Sequence, residues 1–318
     1  MRFLFVMDPF AGMLADKDTS FAFMRSAISR GHEVLHCLPR DLCARGRRIL
    51  ARSRRLSLAP DGQSAAGGAT SEHADVAELD AVFIRKDPPF DDAYLYLTQL
   101  LDLVTHRTLV LNDPTAIRNA NEKLFTLRFT DFMPPTIVSS DEGELLAFVE
   151  EVGGRAVIKP LDGAGGSGVA FLATNDVNTR PLIGITTAEG KRLAMVQEFQ
   201  PAVVDGDKRV LLLNGELLGA IRRVPQQGEI RANIHVGGRV EATDLTAEEQ
   251  RLVDEIGPVL ASVGLYFVGL DLINGKLIEI NVTSPTGIQE LARLTGTAPA
   301  DKVIEWVERR AEAHGADR

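Results

Sequence analysis

Short apolar runs alternating with amphipathic stretches open the chain. Residues 2–7 form a continuous apolar run of strand length, stopped by Asp8-Pro9. After a loop, Asp18 or Thr19 caps a helix reaching Arg30, and Gly31 follows its end. Residues 33–38 read as a second strand. This β-loop-α-β opening is half of a doubly wound sheet, in which ligands sit at the carboxyl ends of strands. Further strands are predicted at 81–85, 109–111, 136–138, 156–160, 169–173 and 192–199, with helices at 94–105, 115–120 and 141–152. Asn214-Gly215 marks a hairpin between 208–213 and 216–223, and helices close the chain at 246–260 and 300–313, the last packing Trp306 by its apolar face. Seven arginines between 40 and 55 suggest a solvated ribbon or helix, and the Gly/Ala/Ser-rich residues 60–74 a mobile loop.

The most informative pattern lies in residues 266–287. Val268, Leu270 and Leu272 alternate with Gly269 and Asp271, and Ile278, Ile280 and Val282 alternate with Glu279 and Asn281, around Asn274-Gly275. A two-residue loop sets Asp271 against Ile278, mixing polar and apolar faces. A three-residue loop, 274–276, pairs Ile273 with Leu277 and sets Asp271 opposite Glu279. Facing carboxylates repel unless a cation sits between them. With Asn281 they form an oxygen-only set suited to Mg²⁺, which takes one or two carboxylates and the phosphates of a substrate. The alternative is a surface hairpin with scattered acids.

A second phosphate-handling element supports the metal reading. Lys159 ends the 156–160 strand, and Gly163, Gly165 and Gly168 then satisfy Gly-x-Gly-x-x-Gly. A dinucleotide fingerprint needs a helix next, but residues 169–173 read as a strand; a Walker A loop needs a closing Gly-Lys-Ser/Thr, which is missing. A glycine hairpin over a triphosphate remains, its small residues admitting backbone N–H groups to phosphate oxygens. Gln197, Glu198 and Phe199 end a strand placed to pair its backbone with adenine, and Asp207 can accept from ribose hydroxyls. Arg209, Arg223, Arg231 and Arg239 suit an anionic substrate and a phosphoryl transition state. Residues 225–238 are polar and glycine-bearing, like a lid. Arg85, at a strand's carboxyl end before Pro88-Pro89, is a candidate to grip a carboxylate, or to form a surface ion pair.

Composition narrows this picture little. The 318 residues, 45% hydrophobic and 25% charged, suit one large or two ordinary domains. A net charge of −9 argues against a nucleic-acid coat. Two cysteines, Cys37 and Cys43, are too few for a disulfide framework, so a reducing cytoplasm is expected. No run approaches a membrane span, and residues 1–7 are too short for a signal peptide's core.

Several stretches together resemble the ATP-grasp ligases and, within them, the bacterial glutathione synthetase family. They are Met7-Asp8-Pro9, Asp18-Thr19-Ser20-Phe21, Arg85-Lys86-Asp87-Pro88-Pro89-Phe90, Asn121-Glu122-Lys123-Leu124-Phe125, Lys159-Pro160-Leu161-Asp162-Gly163, Asp205-Gly206-Asp207-Lys208-Arg209-Val210, Phe267-Val268-Gly269-Leu270-Asp271 and Glu279-Ile280-Asn281-Val282-Thr283-Ser284-Pro285-Thr286. The resemblance implies a mixed α/β chain: a Rossmann-like N-terminal domain (1–120), then a two-part ATP-grasp fold with a small lid domain (121–200) and a C-terminal domain carrying the metal (201–318). It implies ligation of γ-glutamylcysteine to glycine through an acyl phosphate, with ATP, Mg²⁺ or Mn²⁺, and a cytoplasmic homotetramer. Lys123 and Lys159 would hold phosphates under Gly163, Gly165, Gly166 and Ser167, with Gln197, Glu198, Phe199 and Asp207 on the nucleoside. Asp271, Glu279 and Asn281 would bind the metal. Arg209, Arg223, Arg231, Asn233 and Arg239 would orient the peptide and developing charge, and Asp18, Ser20, Arg85, Ser284 and Thr286 would complete the substrate site. Two features depart from the family pattern: residues 60–74 carry no motif, and the glycine loop finishes Ser167-Gly168-Val169. The competing readings are an ATP-grasp ligase for another carboxylate, such as a D-alanine- or glutamate-adding enzyme, and a non-catalytic nucleotide-binding regulator.

Overall fold

The first apolar run becomes the buried centre of a sheet. A computed structural model describes residues 1–9, 13–59, 65–68, 70–225 and 239–316. In it, β1 (Arg2–Met7) lies between β2 (Glu33–Cys37) and β7 (Ala81–Arg85), all parallel. Phe3, Leu4, Phe5 and Val6 are fully buried, as in a strand covered on both faces. β8 (Leu109–Leu111) extends this sheet beyond β7, and β4 (Arg48–Leu58) joins β2 antiparallel while pairing β3 (Leu42–Arg45). The seven arginines therefore lie on or beside a β-ribbon. The loop expected at 60–74 is corrected in part: β5 (Ala65–Gly67) and β6 (Glu72–Asp75) both pair with β4. A long strand leaves donors and acceptors open along its edge, and short strands cover them whatever their composition.

The alternation within β1 assigns its two covers. Leu4 and Val6 face α2 (Asp92–Asp102) through Tyr94, Leu97 and Leu101, next to Ile117 of α3 (Pro114–Asn119). Phe3, Phe5 and Met7 face α1 (Thr19–Ser29), whose N-cap Asp18 accepts from the Phe21 amide. The same apolar cluster takes Val303, Ile304 and Val307 from α8 (Pro299–Ala316), the last helix, so the end of the chain returns to its beginning. Arg30 on α1's C-cap pairs with Glu305 and Glu308, fixing that return.

A second, antiparallel sheet is built from β9 (Thr136–Ser139), β10 (Arg155–Pro160), β11 (Ala170–Ala173) and β12 (Ala194–Glu198), ordered β11-β10-β12-β9. Packed on it are α4 (Glu142–Glu151) and α5 (Thr179–Thr187). No helix was expected at α5, where Thr, Ile and Gly residues give weak helix propensity; burial of Ile183 against the sheet outweighs it.

The third sheet, ordered β15-β14-β13-β16-β17, comprises β13 (Asp207–Leu213), β14 (Glu216–Val224), β15 (Arg239–Ala242), β16 (Phe267–Ile273) and β17 (Lys276–Asn281). α6 (Ala247–Ser262), capped by a Thr246/Glu249 box, packs on one face with Phe125 and Met133. It comes so close that a Cβ on Gly257 would lie 2.0 Å from the Gly215 carbonyl oxygen. α7 (Ile288–Thr295) packs Ile288 and Leu291 on the other side.

The β16–β17 hairpin takes the two-residue turn and yet keeps the carboxylates opposite each other. Its turn has two residues, Asn274 and Gly275, both at positive φ, and Ile273 pairs with Lys276. The three-residue loop is thereby corrected. Asp271 still faces Glu279, because a bulge at Ile278 absorbs the extra residue. Leu277, not Ile278, enters the core, and Ile278 is left half-buried. No helix among the described residues is long and apolar enough to cross a membrane.

Candidate functional site

Two clefts meet where the glycine loop crosses the acidic hairpin. The first, about 1140 Å³ and open to solvent, lies between the second and third sheets. Its walls include Lys123, Lys159, Gln197, Phe199, Asp207 and Glu279. The second, about 1780 Å³, lies between the carboxyl ends of β1 and β7 and residues 283–286, and is lined by Asp18, Ser20, Arg85, Ser284 and Thr286. Gly165, Arg209, Glu279 and Asn281 line both.

The glycine loop links β10 to β11 as a hairpin, as the strand reading of 169–173 requires. Gly165, Gly166 and Gly168 sit at positive φ, where a side chain is strained. A Cβ on Gly163 would come within 2.7 Å of the Ser167 carbonyl oxygen, so the tight fold of the loop depends on glycine there too.

Charge in the first cleft is balanced by the protein itself. Glu279 pairs with Lys123 at 3.0 Å, and the Lys123 ammonium also donates to the Gly163 carbonyl, tying hairpin to glycine loop. Asp271 accepts from Arg209 Nε at 2.5 Å and Nη2 at 3.0 Å, and Arg223 approaches its Oδ2 at 3.0 Å. Arg223 Nε also donates to Asp207 at 2.7 Å. Burial pushes the Asp271 carboxyl up, but the two guanidiniums outweigh this and hold it well below the usual carboxylate range. Lys159, buried and donating to Gln197 Oε1 at 2.8 Å, is pushed down to about 8 by desolvation.

As a divalent-metal site the set fits through its cleft-facing members. Both Asp271 oxygens accept from guanidiniums, and Asn281 Nδ2 donates to Oδ2 at 3.2 Å. Glu279 and Asn281 line the junction, and Mg²⁺ needs few protein oxygens when a substrate supplies phosphates. No cluster of three or more His, Cys, Asp or Glu residues suited to a metal occurs among the described residues.

In the second cleft, buried Arg85 donates to Ser20 Oγ at 2.9 Å and to the Pro285 carbonyl at 3.0 Å, between the Phe23 and Phe267 rings. It is not a surface ion pair, and desolvation lowers its pKa. Asp18 serves as a helix cap and also lines this cleft.

Most of the expected site residues thus converge. Arg239 does not: on edge strand β15 its side chain is exposed, pairs with Glu241 and lines neither cleft. Arg231 and Asn233, with most of the lid expected at 225–238, lie outside the described residues. The Glu198 and Phe199 amides already donate to the Pro135 and Arg155 carbonyls. A base pairing at this edge would therefore use other groups, of which Gln200 is nearest in sequence and also lines the cleft. Ile278, Ile273, Val157 and Val203 form an apolar wall that was not expected; the bulge that exposes Ile278 left no signal in the alternation.

Residues 1–118 match the family model described as the N-terminal domain of prokaryotic glutathione synthetase, and residues 122–296 that of its ATP-grasp domain. The glutathione synthetase of Parasynechococcus marenigrum is 43% identical over 306 residues, spanning 96% of this chain and 98% of its own. That of Synechocystis sp. is 42% identical over 320 residues, spanning 98% and 100%. Among solved structures, the D-cycloserine synthetase DcsG superposes with a TM-score of 0.64 at 16% identity, covering 96% of this chain and 99% of its own. The ATP-grasp ligase PsnB, complexed with precursor peptide PsnA2 and AMPPNP, gives 0.62 at 17%, covering 98% of each. At those identities the likeness is one of fold.

Proposed function

The chain belongs to the prokaryotic glutathione synthetase family of ATP-grasp ligases, enzymes of ATP-dependent ligation that yield glutathione, and on that premise we propose how its residues divide the work. The first cleft takes ATP: Lys159 and Lys123 on the phosphates, the 163–167 loop over them, Asp207 and the 197–199 edge on the nucleoside, and Ile278 and Val157 against the base. Glu279 and Asn281, steadied by Asp271, hold Mg²⁺, or Mn²⁺ in its place; the ion supplies charge neutralisation at the transferred phosphoryl group.

The second cleft takes γ-glutamylcysteine. Arg85 grips a carboxylate with the N–H groups not spent on Ser20 and Pro285, and Asp18, Ser20, Ser284 and Thr286 surround it. Arg209, lining both clefts, and Arg223 stabilise charge as the cysteinyl carboxylate attacks the γ-phosphate. Arg231 and Asn233 are assigned to the peptide by their motif alone, and Arg239, exposed and paired with Glu241, is left out. The acyl phosphate would be lost to water, so the glycine loop excludes solvent until glycine attacks. The observation that carries this reading is the junction, where Glu279, Asn281, Arg209 and Gly165 each line both clefts. No side-chain nucleophile is needed.

We assign residues 1–120, 121–200 and 201–318 to three domains, the assembly to a homotetramer and the site of action to the cytoplasm; sedimentation tests the tetramer. Phosphate release from ATP should require both γ-glutamylcysteine and glycine. Release with other peptide or amino-acid pairs would redirect the assignment to another ligase, and binding without release to a regulator.

A further inference from the structure

Glu122 sits beside Lys123, in a motif from which no role was drawn. Its Oε1 accepts from the Val282 amide at 2.8 Å, the Thr283 amide at 3.1 Å and Thr283 Oγ1 at 2.9 Å. Its own carbonyl accepts from the Ile280 amide at 3.0 Å. One carboxylate oxygen thus staples the end of β17. The other, Oε2, has no hydrogen-bond or ion-pair partner among the described residues. The residue is partly exposed, its carboxylate facing the second cleft that it lines. Lys123, next in sequence, spends its charge on Glu279. Burial, then the neighbouring Glu279, pushes the Glu122 carboxyl up. A partly desolvated carboxylate beside another carboxylate is destabilised, and a cationic ligand would relieve it.

We propose that Glu122 Oε2 is the anchor for the acceptor's ammonium group, holding glycine's nitrogen at the junction of the clefts; this rests on the glutathione-forming reading. Oε1 is fixed by three donors, so the orientation of Oε2 is fixed with it, and one directed oxygen suits one N–H donor. Both substrates carry an ammonium. That of γ-glutamylcysteine is many bonds from the reacting carboxylate, whereas the acceptor nitrogen must reach bonding distance of the acyl carbon. Glu122 adjoins Lys123, which lines the first cleft, and Thr283, which lines the second, on either side of the junction where that carbon is placed. In the step served, the C–N bond forms and the acyl C–O bond to phosphate breaks. One ammonium proton passes to the carboxylate that holds it, and the second leaves with phosphate.

The test separates the two acceptors. Hydroxylamine, largely neutral near pH 7, traps the same acyl phosphate as a hydroxamate without needing an ammonium anchor. Glu122→Gln keeps an oxygen for the three donors and removes the anion. It should raise the KM for glycine by about 10- to 100-fold, the worth of a charge-assisted hydrogen bond, with hydroxamate formation unchanged. Thr283→Val, which removes one of the three donors that aim Oε2 but keeps the anion, should raise the glycine KM by less than Glu122→Gln does and leave hydroxamate formation unchanged. On the unaltered enzyme, methylammonium in large excess should compete with glycine. Equal loss with both acceptors in Glu122→Gln, an unchanged glycine KM, or no competition by methylammonium would overturn the proposal. Absence of any glycine-dependent product from the unaltered enzyme would instead refute the functional reading.

Discussion

Single side chains in this site do two jobs, and substitutions separate them. Asp271 was expected to be a metal ligand. Packed against Arg209 and Arg223, it is also the counter-charge of a buried cluster. Asp271→Ala leaves two buried guanidiniums with Asp207 alone and should cost about 3–5 kcal/mol of stability by urea denaturation. Glu279→Ala leaves the buried Lys123 ammonium only the Gly163 carbonyl and should cost about 1–3 kcal/mol while abolishing turnover. Lys159 gives a pH dependence of defined sign. Its pKa of about 8 in the free protein rises when a phosphate binds, so above that pH binding must recruit a proton. ATP affinity should therefore weaken by up to about tenfold per pH unit above 8; Lys159→Gln should bind weakly with no such slope. Which residues meet was legible from sequence for Asp271, Glu279 and Lys159, since strand parity and a strand-ending lysine suffice. That Asp271 is neutralised by Arg209 was not, because β13 pairs with β16 across the 53 intervening residues 214–266 with no local trace.

At the scale of elements, apolar alternation located most strands, and the capping residue Asp18 located the helix start it serves. It failed where tertiary contacts decide, at α5 and at β5 and β6. The bulge at Ile278 shows why alternation alone misplaces a wall. One unpaired residue leaves the facing carboxylates in register and turns an isoleucine toward the cleft. Ile278→Ala should therefore leave the melting temperature nearly unchanged and weaken nucleotide binding by about 1–2 kcal/mol, read by calorimetric titration. Gly257→Ala should do the reverse. A methyl cannot fit over the Gly215 carbonyl, so α6 must shift, destabilising the protein by about 1–3 kcal/mol with no direct effect on the cleft.

For the molecule as a whole, the sites are assembled from all three sheets. Asn112, at the end of β8, donates to the Phe267 and Val282 carbonyls, fixing the first sheet to the acidic hairpin. ATP bridging the second and third sheets should stabilise the whole by about 2.7 kcal/mol at a hundredfold excess over Kd, seen as a rise in melting temperature. Lys123→Gln, which loses both a phosphate contact and the Gly163 tie, should show a much smaller rise. The return of α8 to the first sheet has a consequence for synthesis. The greasy side of Phe3, Phe5 and Phe83 has only α1 over it on the ribosome until Val303, Ile304 and Val307 have left the exit tunnel. Nascent chains arrested before that point should be cleaved readily by added protease or captured by a holdase, and those released beyond it should not.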